Sequence, residues 1–371
     1  MSLQYKFILS LFLSFVLLFG CSKPKTPIKI GLSINLSGRG GLAGEYIRDG
    51  ALLAIRDINR SGGIKGRELQ LLIEDDHNNK AGVHQADSIL ISNGVVVIIG
   101  HSTSQNTIFA YPYIQKKKML LFTPYAATTK LSQKDDYFIR TQVDNRQYGI
   151  AFSKYFSSHN IKRIAFLMDF SNRAYVEDLA NQIIRYSDSK IVAQIPFNPK
   201  KKISWPKIIK TLVFSEAQAI VLLTEVSMTS LAAQKLRSRG FNGILMGSIW
   251  CQTPDLIRFG GKALEQFVII SFIDPNIDNP LMQSFRQKFS QAFQRPVSAR
   301  SMRAYEIITI LSRALESLPE VTTEELKKTL LRGKYHTLLG TVRFDSDGDV
   351  QRPVYEITVE NGRFKTKGSI H

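Results

Sequence analysis

With two cysteines among 371 residues, Cys21 and Cys251, the chain has no disulfide framework, and its stability must come from packed cores rather than cross-links. The six histidines are scattered and share no ligand spacing with Cys251 or with one another, so the common metal sites have no candidate set. No G-x-S-x-G elbow or comparable nucleophile motif occurs, and catalysis has no visible machinery. Beyond residue 20, no segment approaches the roughly 20 apolar residues of a spanning helix. Acidic residues are also scarce, 31 Asp and Glu against 49 Lys and Arg, giving a formal net charge of +18. Such an excess suits an anionic lipid surface or anionic ligands. Nucleic acid is a poorer partner for it. The longest basic runs, residues 116–118 and 200–202, carry no interleaved aromatic platform and read as solvated faces.

What the chain does have begins at its N-terminus. Lys6 is followed by an uncharged run from residue 7 to 20, too short to span a bilayer but the size of a signal-peptide core. The run exits through "LFGC", which resembles the lipobox of bacterial lipoproteins. That resemblance makes residues 1–20 a signal peptide, Cys21 the lipidated first residue of the mature chain, and 21–27 a lipid-anchored tether. An ordinary secretory signal with an incidental cysteine is the alternative, and it too exports the protein. The mature part is long enough, at 44% hydrophobic content, for two domains with real cores.

From residue 28 the chain alternates. "IKIGLSI" reads as a strand and residues 44–60 as a helix stopped by "SGG". Then follow "ELQLLIE", a helix over 80–92, "VVVIIG", a helix over 104–117 and "MLLFTP". Apolar strands separated by helices predict a parallel sheet covered on both faces. "RIAFLMD", a helix over 175–186, "KIVAQIPF", a helix after Trp205, "AIVLLTE", a helix ending at Gly240 and "GILMGS" form a second such unit. Two doubly wound α/β lobes follow from this periodicity. Beyond "FVIISFI" come a helix over 302–315, another near 324–331, and a closing strand pair around "FDSDGD".

Several stretches invite a site. Gly38, Gly40 and Ala43 satisfy the spacing of a dinucleotide loop, but the acids that should bind the ribose, Glu74, Asp75 and Asp76, lie more than thirty residues beyond Ala43 instead of about twenty. Asp345, Asp347, Asp349 and Glu356 fall at calcium-loop positions, yet Val350 stands where the turn needs glycine. An Asp-Gly hairpin between "TVRF" and "VYEITV" accounts for that stretch better. No cofactor or metal is expected. "GHSTSQNT" is stronger: a strand end leads into a helix whose free amides attract an anion, unless Ser102 or Ser104 merely caps it. "TPYAATTKL" ends the next strand in the same style, and adjacent polar strand ends are where open α/β sheets bind ligands.

With "IGLSINLSG", "GALLAIRDINRSGGIKGRELQLLIEDD", "VVVIIGHSTSQNT", "MLLFTPYAATTKL", "AYVEDLA" and "GGKALE" in order, the sequence resembles the leucine/isoleucine/valine-binding-protein family, the type I solute-binding proteins of ABC importers. The resemblance implies a type I periplasmic binding protein fold, with two lobes joined by a three-segment hinge. One lobe would comprise 28–141 plus 272–343 and the other 142–271 plus 344–371, with crossings near Thr141, Ser271 and Phe344. It further implies a small polar solute, such as an amino acid, an amide or a related organic acid or amine, delivered to ABC permease subunits by cleft closure. The protein would be a monomer and not an enzyme, lipid-anchored in the cell envelope and facing the periplasm or the extracellular side. A ligand-sensing or envelope-enzyme-regulating role on the same fold is the alternative.

Position by position, the resemblance places Ser104 on the ligand carboxylate, and Tyr125 and Ala127 where backbone groups and a threonine hydroxyl hold carboxylate and amine. Ala127 lacks that hydroxyl, and Thr128 beside it could supply one. Tyr175 matches a tyrosine packed over the ligand. Glu225 replaces a common aromatic, and Trp250, in "SIW", stands where an acid often takes the ammonium. Glu225 is expected to face the cleft toward a positive or hydrogen-donating ligand group, unless Arg300 or a lysine pairs with it.

Overall fold

A computed structural model describes residues 25–38 and 40–370. The expected signal peptide, the lipidation site Cys21 and the start of the tether lie outside these residues.

The first sheet is wholly parallel, in the order β2-β1-β3-β4-β5, built from β1 (Ile28–Ile34), β2 (Leu69–Asp75), β3 (Ile98–Gly100), β4 (Leu121–Thr123) and β5 (Phe138–Arg140). The connections α1 (Gly41–Arg60), α2 (Lys80–Ser92) and α3 (Ser104–Lys117) cover it, as parallel strands require. Ile30, Leu32 and Ile34 of β1 are fully buried, and side chains of α1 and of a late helix pack with them. The helix read as beginning at 44 starts three residues earlier. Its Gly44 lies against the backbone of β1's exit, where an added Cβ would stand 1.8 Å from the Asn35 carbonyl oxygen. Gly44 therefore lets α1 close down onto the strand end.

The chain then enters a second sheet of order β14-β13-β10-β9-β8-β6-β7. Its helix α4 (Asn145–Ser158) leads into β6 (Arg163–Asp169), α5 (Arg173–Tyr186), β7 (Lys190–Phe197), α6 (Trp205–Val213), β8 (Ala219–Leu223), α7 (Val226–Ser238), β9 (Ile244–Ser248), α8 (Pro254–Gly260) and β10 (Val268–Ser271). It next runs through α9 (Pro280–Phe293), whose core residues join a cluster shared by both units, and then into the first sheet's core through α10 (Ala299–Ser317), α11 (Thr323–Arg332) and the pair β11 (Lys334–Thr337) and β12 (Gly340–Arg343). Finally β13 (Tyr355–Glu360) and β14 (Arg363–Ser369) add antiparallel to β10.

The closing elements correct one expectation, the strand pairing. "TVRF" and "VYEITV" contribute strands whose long ladders lie elsewhere, β12 with β11 and β13 with β14, while "DSDGD" is the tight Asp-Gly turn expected, closed by an antiparallel bridge between Phe344 and Val350. The turn is held on itself, with the Asp347 and Asp349 amides donating to the Asp345 carboxylate at 3.0 and 2.8 Å. The Asp349 carboxylate pairs with buried Arg140 at 2.7 Å. The hairpin between β13 and β14 sits at Asn361–Gly362, where both φ angles are positive, 51° and 68°, as the tight turn matching strand twist demands.

Arg352 ties the segments that pass between the sheets. Its guanidinium holds Glu306 of α10 through two bonds of 2.9 Å, donates to the Thr141 carbonyl at 3.3 Å, and lies over the Phe272 ring at 4.8 Å.

Candidate ligand-binding cleft

Between the two sheets lies a cavity of about 300 Å³. Its wall is assembled from residues that follow strands: Asn35 after β1, Ser102 after β3, Ser171 after β6, Glu225 after β8 and Trp250 after β9. Carboxyl ends of parallel strands from two sheets thus converge on one space, the position where open α/β sheets take ligands. The apolar part of the wall comes from Leu42 and Tyr46 of α1 facing Val226, Trp250 and Phe259 of the second lobe. A smaller void of about 20 Å³ adjoins it, sharing Ser102, Trp250 and Arg300, and is closed by Tyr125, Tyr175 and Arg303.

Polar atoms are left unpaired on this wall. The side-chain oxygens of Asn35 and Thr253, residues 5% and 4% exposed, have no hydrogen-bond partner. Buried polar groups are normally satisfied, and these two oxygens face a cavity where a polar solute group can pair with them.

The residues singled out from sequence divide into two sets. Tyr125, Tyr175 and Trp250 line the small void: Tyr125 donates its hydroxyl to the Arg300 carbonyl at 2.9 Å, and the Tyr175 and Trp250 rings meet edge to face at 5.9 Å. Ser104, Ala127 and Thr128 are fully buried and line neither space. The Ser104 hydroxyl oxygen accepts the Ala127 N–H at 3.0 Å, and Thr128 caps the short turn after it. Neither Ser102 nor Ser104 caps α3, because Thr103 does, accepting from the Asn106 amide at 3.2 Å. Ser102 instead accepts from the Asn35 amide.

The N-terminus of α3 also differs from the anion site expected there. Asn172, from the other lobe, accepts the Gln105 amide at 3.1 Å, while the Gln105 side chain accepts the Ala174 amide at 3.1 Å. With the Asn106 amide on the Thr103 hydroxyl, two of the helix's unpaired first amides, those of Gln105 and Asn106, are already used.

Glu225 lines the cavity and caps α7, its carboxylate accepting the Ser227 and Met228 amides at 3.1 Å each and the Ser227 hydroxyl. Arg300 makes no ion pair with it, although the carboxylate's charge reaches the guanidinium. Arg300 and Arg303 stand on the buried face of α10. Burial, and then the neighbouring Arg303 charge, push Arg300 down to about 10, and burial also lowers Arg303. Reading α10 as starting at Met302 left Arg300 outside the helix and obscured the pair. Two arginines three apart, on the same face at the head of the helix, are the signal that marks it. Cys251 packs beneath β9, where burial pushes its thiol up to about 12, so it stays protonated and inert.

Two sheets of parallel strands facing a common cleft define the class, and the comparisons with known proteins agree. Residues 27–363 match the periplasmic binding protein family model, and the chain belongs to that family of solute-binding proteins, which are not enzymes. The Leucine-, isoleucine-, valine-, threonine-, and alanine-binding protein of Pseudomonas aeruginosa is 24% identical over 90% of this chain and 89% of its own. A leucine-binding protein of Thermotoga maritima superposes with a TM-score of 0.85 at 19% identity, covering 93% of this chain and 99% of that one. A solute-binding protein of R. palustris solved with benzoate reaches 0.84 at 15% identity, covering 93% and 96%.

Proposed function

We propose that this protein is a lipid-anchored solute-binding protein of the cell envelope, held to the membrane through Cys21, that closes on a small polar solute and hands it as a monomer to an ABC permease. The observation that carries this reading is the cavity between the carboxyl ends of two sheets, with unpaired oxygens of Asn35 and Thr253 on its wall. Relatives that take branched-chain amino acids, and a neighbour solved with benzoate, support an amino acid, an amide or a related organic acid or amine. In this reading the lobes are 28–141 plus 272–343 and 142–271 plus 344–371, and the crossings near Thr141, Ser271 and Phe344 act as hinges. Tyr125, Tyr175 and Trp250 contact the solute. Ser104 positions the Ala127 loop behind them, and Glu225 shapes the rim.

A thermal-shift screen over amino acids, amides, short-chain acids and polyamines tests it. A ligand at 100 times its dissociation constant adds about 2.7 kcal/mol to stability. Anchoring is read separately: Cys21→Ser is expected to leave the membrane fraction and lose acyl label, and retention of both would refute the lipid assignment.

A further inference from the structure

Arg300 and Arg303 are 6% and 3% exposed, and neither pairs with a carboxylate among the described residues. Arg303 donates only to neutral oxygens, those of Ala299, Pro124 and the Gln142 side chain, and its guanidinium stacks 4.6 Å over the Tyr125 ring. Arg300 has a single weak bond, 3.4 Å to the Trp250 carbonyl, leaving most of its five donors unused. Two like charges buried side by side repel and are costly unless an anion compensates them. Every nearby acid is otherwise engaged: Glu306 by Arg352, Asp255 by Arg258 at 2.7 Å, and Glu225 by the α7 amides. At the start of α3 the Gln105 and Asn106 amides are already held by Asn172 and Thr103.

Resting on the solute-binding reading above, we infer that Arg300 and Arg303 form the anchor of the solute: a carboxylate enters the small void beside Tyr125, Tyr175 and Trp250, and its apolar or aromatic body fills the larger cavity. The sizes fit. The void adjoins the cavity through Ser102, Trp250 and Arg300, and the larger space presents Leu42, Tyr46, Val226 and Phe259 to the body of the ligand. A guanidinium's planar fork suits a carboxylate, whereas a neutral amide offers one acceptor and would leave the charges unpaired. The net charge of the whole chain, +18, and Lys200 at the rim draw an anion toward the cleft. The ligand class is therefore an organic monocarboxylate, free or as the carboxylate of an amino acid.

Titration calorimetry on the full chain with matched pairs separates these possibilities: isovalerate against isovaleramide, benzoate against benzamide, leucine against leucinamide. The acid of at least one pair is expected to bind about 10- to 100-fold more tightly than its amide. Binding of isovalerate or benzoate identifies a simple organic acid, and binding of leucine alone identifies an amino acid; both support the anchor. Arg303→Gln and Arg300→Gln should each lower the acid's affinity by at least tenfold while leaving the amide's unchanged. Should a variant fail to fold, the acid–amide comparison on the unaltered protein decides alone. Amides binding as well as acids would overturn the anchor and leave solute binding intact. If no member of any pair binds, the anchor falls; if the wider thermal-shift screen is also blank, the solute-binding reading falls with it.

Discussion

His101 is fully buried with Asp76 3.0 Å from Nδ1 and Asp87 3.4 Å from Nε2, so two acids converge on one imidazole beneath the cleft. Burial alone would lower its pKa, but the Asp87 charge and the hydrogen bond to Asp76 outweigh it and push the group up to about 10. A folded value above the unfolded one, near 6.5, means the charge stabilises the fold fully below that pH, and the contribution is lost as pH rises through 10. Urea denaturation between pH 6.5 and 10 should show falling stability, and His101→Gln should flatten that slope while being less stable at neutral pH. An unchanged slope in the variant would assign the pH dependence elsewhere. Ser104 gives a second test at this scale. Ser104→Ala leaves the buried Ala127 amide without its acceptor, so a loss of about 1–3 kcal/mol is expected in a denaturation curve. Sequence reading reached Ser104 but not its bond to the Ala127 amide, because a hydroxyl at a helix start looks the same whether it faces a ligand or a neighbouring loop.

Among the elements, the strands and helices that alternate in "RIAFLMD", "KIVAQIPF" and residues 80–92 and 104–117 were legible, because each pairs an unbroken apolar run or stripe with a clear stop. Those not read from the sequence, β5, α4, α8, α9, β11 and β14, are three- or four-residue strands, helices that are short or mix polar and aromatic residues, and, in β14, a strand rich in charged residues; their places are set by the neighbours they pack on. The "DSDGD" turn was legible from its Asp-Gly pair, while the Asn-Gly hairpin at 361–362 was in plain view and went unread. The arginine pair escaped because its meaning depends on which face of α10 is buried and on what meets α3 from the other lobe. Gly44 is where one element rests on another: Gly44→Ala places a methyl into the Asn35 carbonyl and must push α1 off the β1 end. A loss of about 1–3 kcal/mol is expected, along with weaker solute binding, since Asn35 and Tyr46 flank that contact. A variant with wild-type stability and affinity would show that the loop has slack.

For the whole molecule, Arg352 joins Glu306, Thr141 and Phe272, so one buried ion pair touches every segment that passes between the sheets. Arg352→Met strands the Glu306 carboxylate in the interior, and breaking such a pair costs about 3–5 kcal/mol. Chemical denaturation should show that loss, and a double variant with Glu306→Leu should recover part of it. Gln105 bonds Asn172 and Ala174 across the cleft, and if the lobes close on solute as proposed above, solution scattering should show compaction when solute is added.

The central claim, that the cleft holds a small solute, is tested most directly by native mass spectrometry of the purified protein followed by unfolding and extraction. The account predicts one small molecule per chain, released on unfolding and rebinding to the stripped, refolded protein with a change in Trp250 fluorescence. A chain that carries no adduct and whose Trp250 fluorescence responds to no member of the solute screen would contradict it.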